Sequence, residues 1–492
     1  MSNSPTLTDH ESLDKALVGG FAWTAGVKWC GQIVSWVISI VVARLLTPAD
    51  FGLVGMATIY LGLITLFSEF GVGTAVITLR DLDEQTLAEL HTASLTLGVL
   101  AFLLSCALAI PLGLFFHEPR LPLVLIVTST GFILLGYRTV PYSLLQKDMK
   151  FKLLAFLDGF QLLAQAITTV ILAVLGFKFW ALVLGGLAGT TASVVLPFVW
   201  RPQPFRRPRW RHLEKPLAFS WRVCVARLSW YAYDNSDFLI VGRVLGDASL
   251  GAYSMAWNLA HLPMEKFTTL VNRVTPSLFS AVQNDLPALR RYLRRLTEVV
   301  SLVTFPATFG IALVAPEFVQ LVLGPKWVGA ILPLQFLVLH ASLRSVRALL
   351  SPLLNAIGEA HFVMKNTLLS LVVLPISFLV GSRWGTAGVA SCWVLIFPLL
   401  CIPLYRLTLQ KIEMPVKEYL DAVWPAVSGS IALALAVGLV KWMIPQTGHL
   451  YLRFFLEIAA GASAYGLTLM VLHRKRVRAF YNTFRLLRGE PS

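Results

Sequence analysis

Again and again along this chain, about 20 predominantly apolar residues run together before a charge interrupts them. An α-helix needs a stretch of about that length to cross the ~30 Å hydrocarbon core of a bilayer. Inside lipid a helix also satisfies all of its own backbone polar groups. Such runs lie near 20–42, 51–77, 88–112, 121–137, 153–175, 179–199, 217–242, 250–279, 297–322, 328–353, 363–381, 385–405, 418–441 and 453–472. They predict an all-α, polytopic membrane protein of about 14 transmembrane helices. The runs 217–242 and 250–279 are the least apolar of the set.

Composition agrees with this reading. Of 492 residues, 56% are hydrophobic and 14% charged, against about 25% charged in soluble chains. The deficit is spread along the whole chain, so no stretch reads as a soluble domain. The net charge of +15 does not point to nucleic acid, because the cations sit mostly in short loops between apolar runs. The loops on the N-terminal side hold 26 of the 41 Lys and Arg residues and the opposite loops hold eight, Arg44, Arg120, Lys178, Arg243, Lys326, Arg383, Lys441 and Arg453. By the positive-inside rule both termini are expected in the cytoplasm. The five cysteines, Cys30, Cys106, Cys224, Cys392 and Cys401, lie in apolar runs without a CxxC pair and read as packing residues. The polar N-terminus lacks a basic region followed by a short apolar core, so no cleaved signal peptide is expected.

The chain also repeats itself. VARLLTPADFGLVGMA (42–57) lines up without gaps on GRVLGDASLGAYSMA (242–256), with Ala43 opposite Gly242, at an offset of 199. Arg44 then matches Arg243, Leu46 Leu245, Gly52 Gly251, Met56 Met255 and Ala57 Ala256, and Lys28 matches Arg227 in the preceding runs. Six runs separate the copies. An even number preserves orientation, so the repeat is parallel. It predicts a cytoplasmic segment over 1–19, an N-lobe over 20–199, a basic cytoplasmic linker over 200–216, a C-lobe over 217–405, two extra helices over 406–472 and a basic tail over 473–492. GGLAG (185–189), inside a run, reads as close helix packing.

Charges inside a bilayer are costly and usually face a bundle interior or a water-filled cavity. The cations in the apolar runs are Lys28, Arg222, Arg227, Lys266, Arg273, Arg344 and Arg347. Against them stand Glu69, Asp158, Asp234, Asp237 and Glu265. Arg227 and Asp234 share a helix face at i, i+7, with Asp237 close to it, and Lys266 and Arg273 repeat that spacing. His340, Arg344 and Arg347 fall at i, i+4 and i+7 on one face. Most of the cations lie toward the cytoplasmic half, which suits an anionic substrate, since arginine binds phosphate bidentately. The alternative for Arg222, Arg273 and Arg347 is snorkelling to headgroups. For Glu69 and Asp158 it is helix–helix hydrogen bonding rather than ion coupling. No phosphate-binding loop, metal-ligand spacing or nucleophile elbow is present, so neither an enzyme nor a metal or organic cofactor is expected.

The segments ARLLTPADFGLVGMA (43–57), LLQKDMKFK (144–152), DNSDFLIVGRVLGDASLGAYSMAW (234–257), FSAVQNDLPALRRYLRR (279–295) and LGPKWVGAILPLQFL (323–337) resemble the polysaccharide exporters of the Wzx type. These belong to the multidrug/oligosaccharidyl-lipid/polysaccharide superfamily, and the likeness is greatest to the colanic-acid exporter branch. The resemblance covers roughly residues 15 to 410. It implies a flippase of the bacterial inner membrane, moving undecaprenyl-diphosphate-linked oligosaccharide to the periplasmic leaflet by alternating access. The substrate would be the lipid-linked oligosaccharide, among membrane lipids, with a polysaccharide polymerase and glycosyltransferases as prospective partners. Coupling to a proton or sodium gradient is compatible with it. By analogy with the lipid-linked peptidoglycan-precursor flippases, and by position in the repeat only, Lys28 and Arg227 would lead the diphosphate contacts, with Arg222, Lys266, Arg273, Arg344 and Arg347 as the further candidates that the charge pattern offers. Glu69, Asp158, Asp234 and Asp237 are the candidates for ion coupling or interhelical bonds. A cation-coupled drug exporter of the same superfamily would want an acidic or apolar cavity. A polymerase or ligase would want a large periplasmic loop, and a scaffold would need neither buried charge nor a repeat.

Overall fold

The computed structural model describes residues 36–69, 72–78, 82–200, 204–207, 228, 231–444, 450–474 and 476. Among them every regular element is helical. In chain order these are α1 (Trp36–Leu45), α2 (Pro48–Glu69), α3 (Val72–Thr78), α4 (Glu84–Phe116), α5 (Leu121–Lys147), α6 (Phe151–Val174) and α7 (Phe179–Trp200). Then follow α8 (Ser236–Ile240), continued by a wide π turn over Val241–Leu245, α9 (Asp247–Ala281), α10 (Leu286–Phe318), α11 (Ile331–Arg347) and α12 (Leu350–Ala356). The last are α13 (Ala360–Gly381), α14 (Gly385–Lys411), α15 (Val416–Met443) and α16 (Leu450–Leu472). Nine helical stretches among the described residues are long and apolar enough to span a bilayer. The protein is therefore a multi-pass membrane protein.

Local chemistry fixes where helices start. Asp83 caps α4 by accepting the Thr86 amide at 3.1 Å, and Asp285 caps α10 through the Ala288 amide at 2.9 Å. Each satisfies one of the donors that a helix start leaves open. Outward faces carry large apolar side chains with nothing to cover them. On α16 alone Phe455, Leu467 and Val471 are 65%, 62% and 75% exposed. An apolar surface of that kind belongs against lipid chains.

The chain forms two compact units, residues 1–251 and 252–492. In the first, α4 packs along α5 and α6 along α7, with α5 also against α7. Two of the three glycines of 185–189 do what close packing requires, and Gly186 faces open space. A Cβ on Gly185 would lie 1.9 Å from the Thr169 hydroxyl, and one on Gly189 2.8 Å from Gln165 Cβ, both across the α6–α7 contact. In the second unit α10 is central, packed on α11, α15 and α16, while α14 packs on α11 and α13. Leu289, Leu293, Leu349, Leu350, Leu353 and Leu354 are fully buried in its core.

The junction that the sequence repeat singles out is closely packed. The matched residues Leu46, Met56 and Ala57, and in the other copy Leu250, form buried sites. The equivalent glycines meet. A Cβ on Gly52 would sit 1.7 Å from the Asp247 carbonyl oxygen, and one on Gly251 1.8 Å from the Pro48 carbonyl oxygen. The contact is reciprocal and purely backbone. Only glycine permits it in either copy. Asp50 accepts the Thr47 amide at 2.9 Å and the Phe179 amide at 3.1 Å. Asp247 accepts the Ala248 amide at 2.7 Å and the Arg120 guanidinium at 2.9 Å.

Candidate functional site

α11 carries the stripe of His340, Arg344 and Arg347 anticipated from its spacing. The helix forms because Leu, Val and Ala dominate it and its only proline, Pro333, falls in the first turn, where no helical hydrogen bond is lost. His340 is fully buried. Its ring stands 4.6 Å from Trp393 and 4.7 Å from Phe397 of α14. Its Nδ1 lies 3.2 Å from the Trp393 carbonyl. A carbonyl only accepts, so Nδ1 carries the proton and Nε2 is left as the acceptor. On α9, His261 stacks on Trp257 with centroids 4.1 Å apart and donates through Nδ1 to the Trp257 carbonyl at 3.0 Å. The two imidazoles are 6.4 Å apart. Neither Nε2 has a hydrogen-bond partner among the described residues.

Below these rings sit the two guanidiniums. Arg347 lies over the Phe397 ring at 5.1 Å, its Nε has no partner, and no carboxylate is within ion-pair distance of it among the described residues. Arg344 and Arg347 are both half-buried. A half-buried guanidinium on an aromatic face, without a carboxylate, has donors to offer to an anion. Guanidinium donors of this kind match the acceptor oxygens of phosphate-type groups; among the described residues around them no nucleophile and base stand together.

The other anticipated residues fall into three groups. Lys28, Arg222 and Arg227 lie outside the described residues. Lys266 and Arg273 lie on α9 and Glu69 ends α2, with their side chains outside what is described. Asp158 and the two aspartates near α8 are described. Asp158 on α6 accepts the Tyr142 hydroxyl at 3.1 Å and lies 3.7 Å from Arg138, both on α5. Arg138 also covers the Tyr142 ring at 4.3 Å and reaches Gln161 at 3.0 Å. Asp237 is fully buried and accepts the Phe238 amide at 2.9 Å. Asp234 is half-buried one turn before it.

Two constellations escape the sequence reading. One is His261, which joins the stripe from another helix. The other is a buried ionic network at one end of α10, α15 and α16. Arg453 bonds Glu317 at 3.0 Å and Glu457 at 2.9 Å, and Lys441 bonds Glu317 at 3.0 Å and the Leu313 carbonyl at 2.7 Å. The charged groups of Glu317 and Glu457 are at most 1% exposed and that of Arg453 is 5% exposed. The i, i+4 pair Arg453 and Glu457, and a glutamate inside the run 297–322, were the available signals.

Residues 41–332 match the model of the family described as polysaccharide biosynthesis protein. The chain is 23% identical over 482 residues to an uncharacterized membrane protein in the cps region of Klebsiella pneumoniae, covering 97% of this chain and 99% of that one. It is 25% identical over 415 residues to the lipopolysaccharide biosynthesis protein WzxC of Escherichia coli (strain K12), covering 81% and 84%. The fold is shared with the lipid II flippase MurJ in an inward closed conformation, at a TM-score of 0.72 and 14% identity over 92% of this chain and 99% of the other.

Proposed function

As a chain that belongs to the polysaccharide biosynthesis protein family, this protein is, we propose, a flippase for lipid-linked oligosaccharide. It takes an undecaprenyl-diphosphate-linked oligosaccharide from the cytoplasmic to the periplasmic leaflet of the bacterial inner membrane. Both termini are in the cytoplasm, and the product feeds surface polysaccharide, exopolysaccharide or O-antigen assembly by a polymerase. The observation that carries this reading is the face of α11. Arg347, half-buried on Phe397 and without a carboxylate among the described residues, offers its donors to a diphosphate. Arg344 lies one turn earlier. A diphosphate accepts bidentate hydrogen bonds from guanidinium better than any uncharged headgroup does. The names of a lipopolysaccharide biosynthesis relative and of a lipid II flippase with the same fold support a substrate of this class.

Lys28, Arg227, Arg222, Lys266 and Arg273 are assigned to the same diphosphate and sugar path. Glu69, Asp158, Asp234 and Asp237 are the carboxylates that could couple it to a proton or sodium gradient. Transport proceeds by alternating access of the duplicated halves. The test is the Lys28→Ala/Arg227→Ala double variant beside Arg344→Gln/Arg347→Gln, measured by surface polysaccharide in a strain lacking the native gene. Both should abolish export while the protein remains in the membrane at the native level. Normal export in both would overturn the assignment.

A further inference from the structure

The stripe of α11 does not stop at Arg347. Ala348, Ser351, Pro352 and Asn355 continue it through α12, and with Pro276 and Ser280 of α9 they line an open groove of about 430 Å³. That volume falls inside the ~300–1,000 Å³ usual for small-molecule sites. Its chemistry differs from that of the residues above it, because none of these lining residues is charged. Ser280 and Asn355 are exposed, Ser351 is half-buried, and none of these three side chains has a hydrogen-bond partner among the described residues. Two hydroxyls and a carboxamide therefore face the groove with donors and acceptors unused. The two prolines offer flat C–H faces between them.

We propose that this groove binds the first sugars of the lipid-linked substrate, and that these are uncharged hexoses or N-acetylhexosamines. The inference rests on the flippase reading. Sugar hydroxyls are neutral donors and acceptors, and hydroxyl and amide side chains match them. A pyranose ring also has an apolar C–H face for the prolines to cover. A uronic acid would find no cation among the described residues that line the groove. The order along the chain matches the order along the substrate. From Arg347, the last residue of α11, to Asn355 in α12 eight residues span on the order of 12 Å at a helical rise of ~1.5 Å per residue, room for a short oligosaccharide. In the orientation that the loop charges predict, the Asn355 end is cytoplasmic. A polyprenyl-linked substrate in the cytoplasmic leaflet presents its diphosphate at the membrane and its sugars beyond it, toward the cytosol. The cationic turn and the neutral groove follow one another in that sense.

The test compares two probes on the purified full-length protein in nanodiscs. One is undecaprenyl diphosphate without sugar. The other is the lipid-linked oligosaccharide extracted from cells of the source strain that lack this gene. We expect Ser351→Ala/Asn355→Leu to bind the bare lipid as the wild type does. It should bind the glycosylated lipid about tenfold to a hundredfold more weakly, as the loss of two hydrogen-bonding side chains predicts. Ser280→Ala, on a different helix and exposed, should give a smaller loss in the same direction and guards against a folding defect in the double variant. An unchanged preference for the glycosylated lipid in both variants would overturn the sugar groove alone. Failure of the wild type to bind undecaprenyl diphosphate, with Arg344→Gln/Arg347→Gln indistinguishable from it, would overturn the flippase reading and the groove with it.

Discussion

Removing the carboxylate of Glu317 should loosen α15 and α16 from α10. Glu317 receives Arg453 at 3.0 Å and Lys441 at 3.0 Å. At an effective dielectric of about 20, each such contact is worth roughly 5 kcal/mol of Coulomb attraction before desolvation is subtracted. The net cost of removing one member of a buried ion pair is smaller, about 3–5 kcal/mol. Glu317→Gln keeps the shape and leaves Arg453 with Glu457 at 2.9 Å and Lys441 with the more distant Glu457 at 3.8 Å. Two cations then share one carboxylate in a buried place. We expect Glu317→Gln to lose about 3–5 kcal/mol, read as a lowered midpoint in tryptophan-monitored thermal or dodecyl-sulfate unfolding. Replacing all four members together by leucine should restore most of the loss, since an apolar core of similar volume carries no desolvation cost. A Glu317→Gln midpoint equal to that of the wild type would refute the account. So would a quadruple variant less stable than the single one.

The glycine contact gives a second expectation. Gly52→Ala and Gly251→Ala should each destabilise the protein by at least about 1–3 kcal/mol through overpacking, and to a similar degree, because the contact is reciprocal. Gly438→Ala, where a Cβ meets nothing within 4 Å, should not, and equal melting of all three would refute the packing argument. The loop between α4 and α5 gives a third. Arg120, hydrogen-bonded to Glu118 at 2.7 Å, holds the Glu118 carboxyl below its usual range. A depressed pKa stabilises the folded state above the carboxylate's ordinary value, and that contribution is lost as pH falls through the lowered one. Glu118→Gln should therefore narrow the stability gap between pH 7 and pH 4 in melting experiments, and an unchanged gap would count against it.

The helices were legible because a bilayer demands apolar length, and length survives in a linear sequence. The run 88–112 is α4 and the run 385–405 is the body of α14. The glycines shared by the two similar junctions were legible because their contact leaves so little choice: a Cβ on Gly52 would fall 1.7 Å from the Asp247 carbonyl oxygen and one on Gly251 1.8 Å from the Pro48 carbonyl oxygen. The stripe of His340, Arg344 and Arg347 was legible because it lies on one helix with a fixed period. His261 was not, since it reaches the stripe from α9, and no period links two helices. The network of Glu317, Lys441, Arg453 and Glu457 was hidden for a related reason. Lys441 and Arg453 sit at the ends of apolar runs, where counting loop charges takes them for outer-loop cations. Only packing of α15 and α16 onto α10 turns them into partners of a carboxylate more than a hundred positions away. The uncharged groove beside α12 left no mark, because serine, proline and asparagine near a helix end are ordinary.

The crossing at Gly52 and Gly251 also binds the history of the gene. Every change of a glycine codon that alters the residue adds at least a Cβ, and at either position that atom would fall inside 2 Å of a carbonyl oxygen. At these two codons, 199 positions apart, every replacement carries the same overpacking cost whichever of the two changes first, and changing both relieves neither carbonyl.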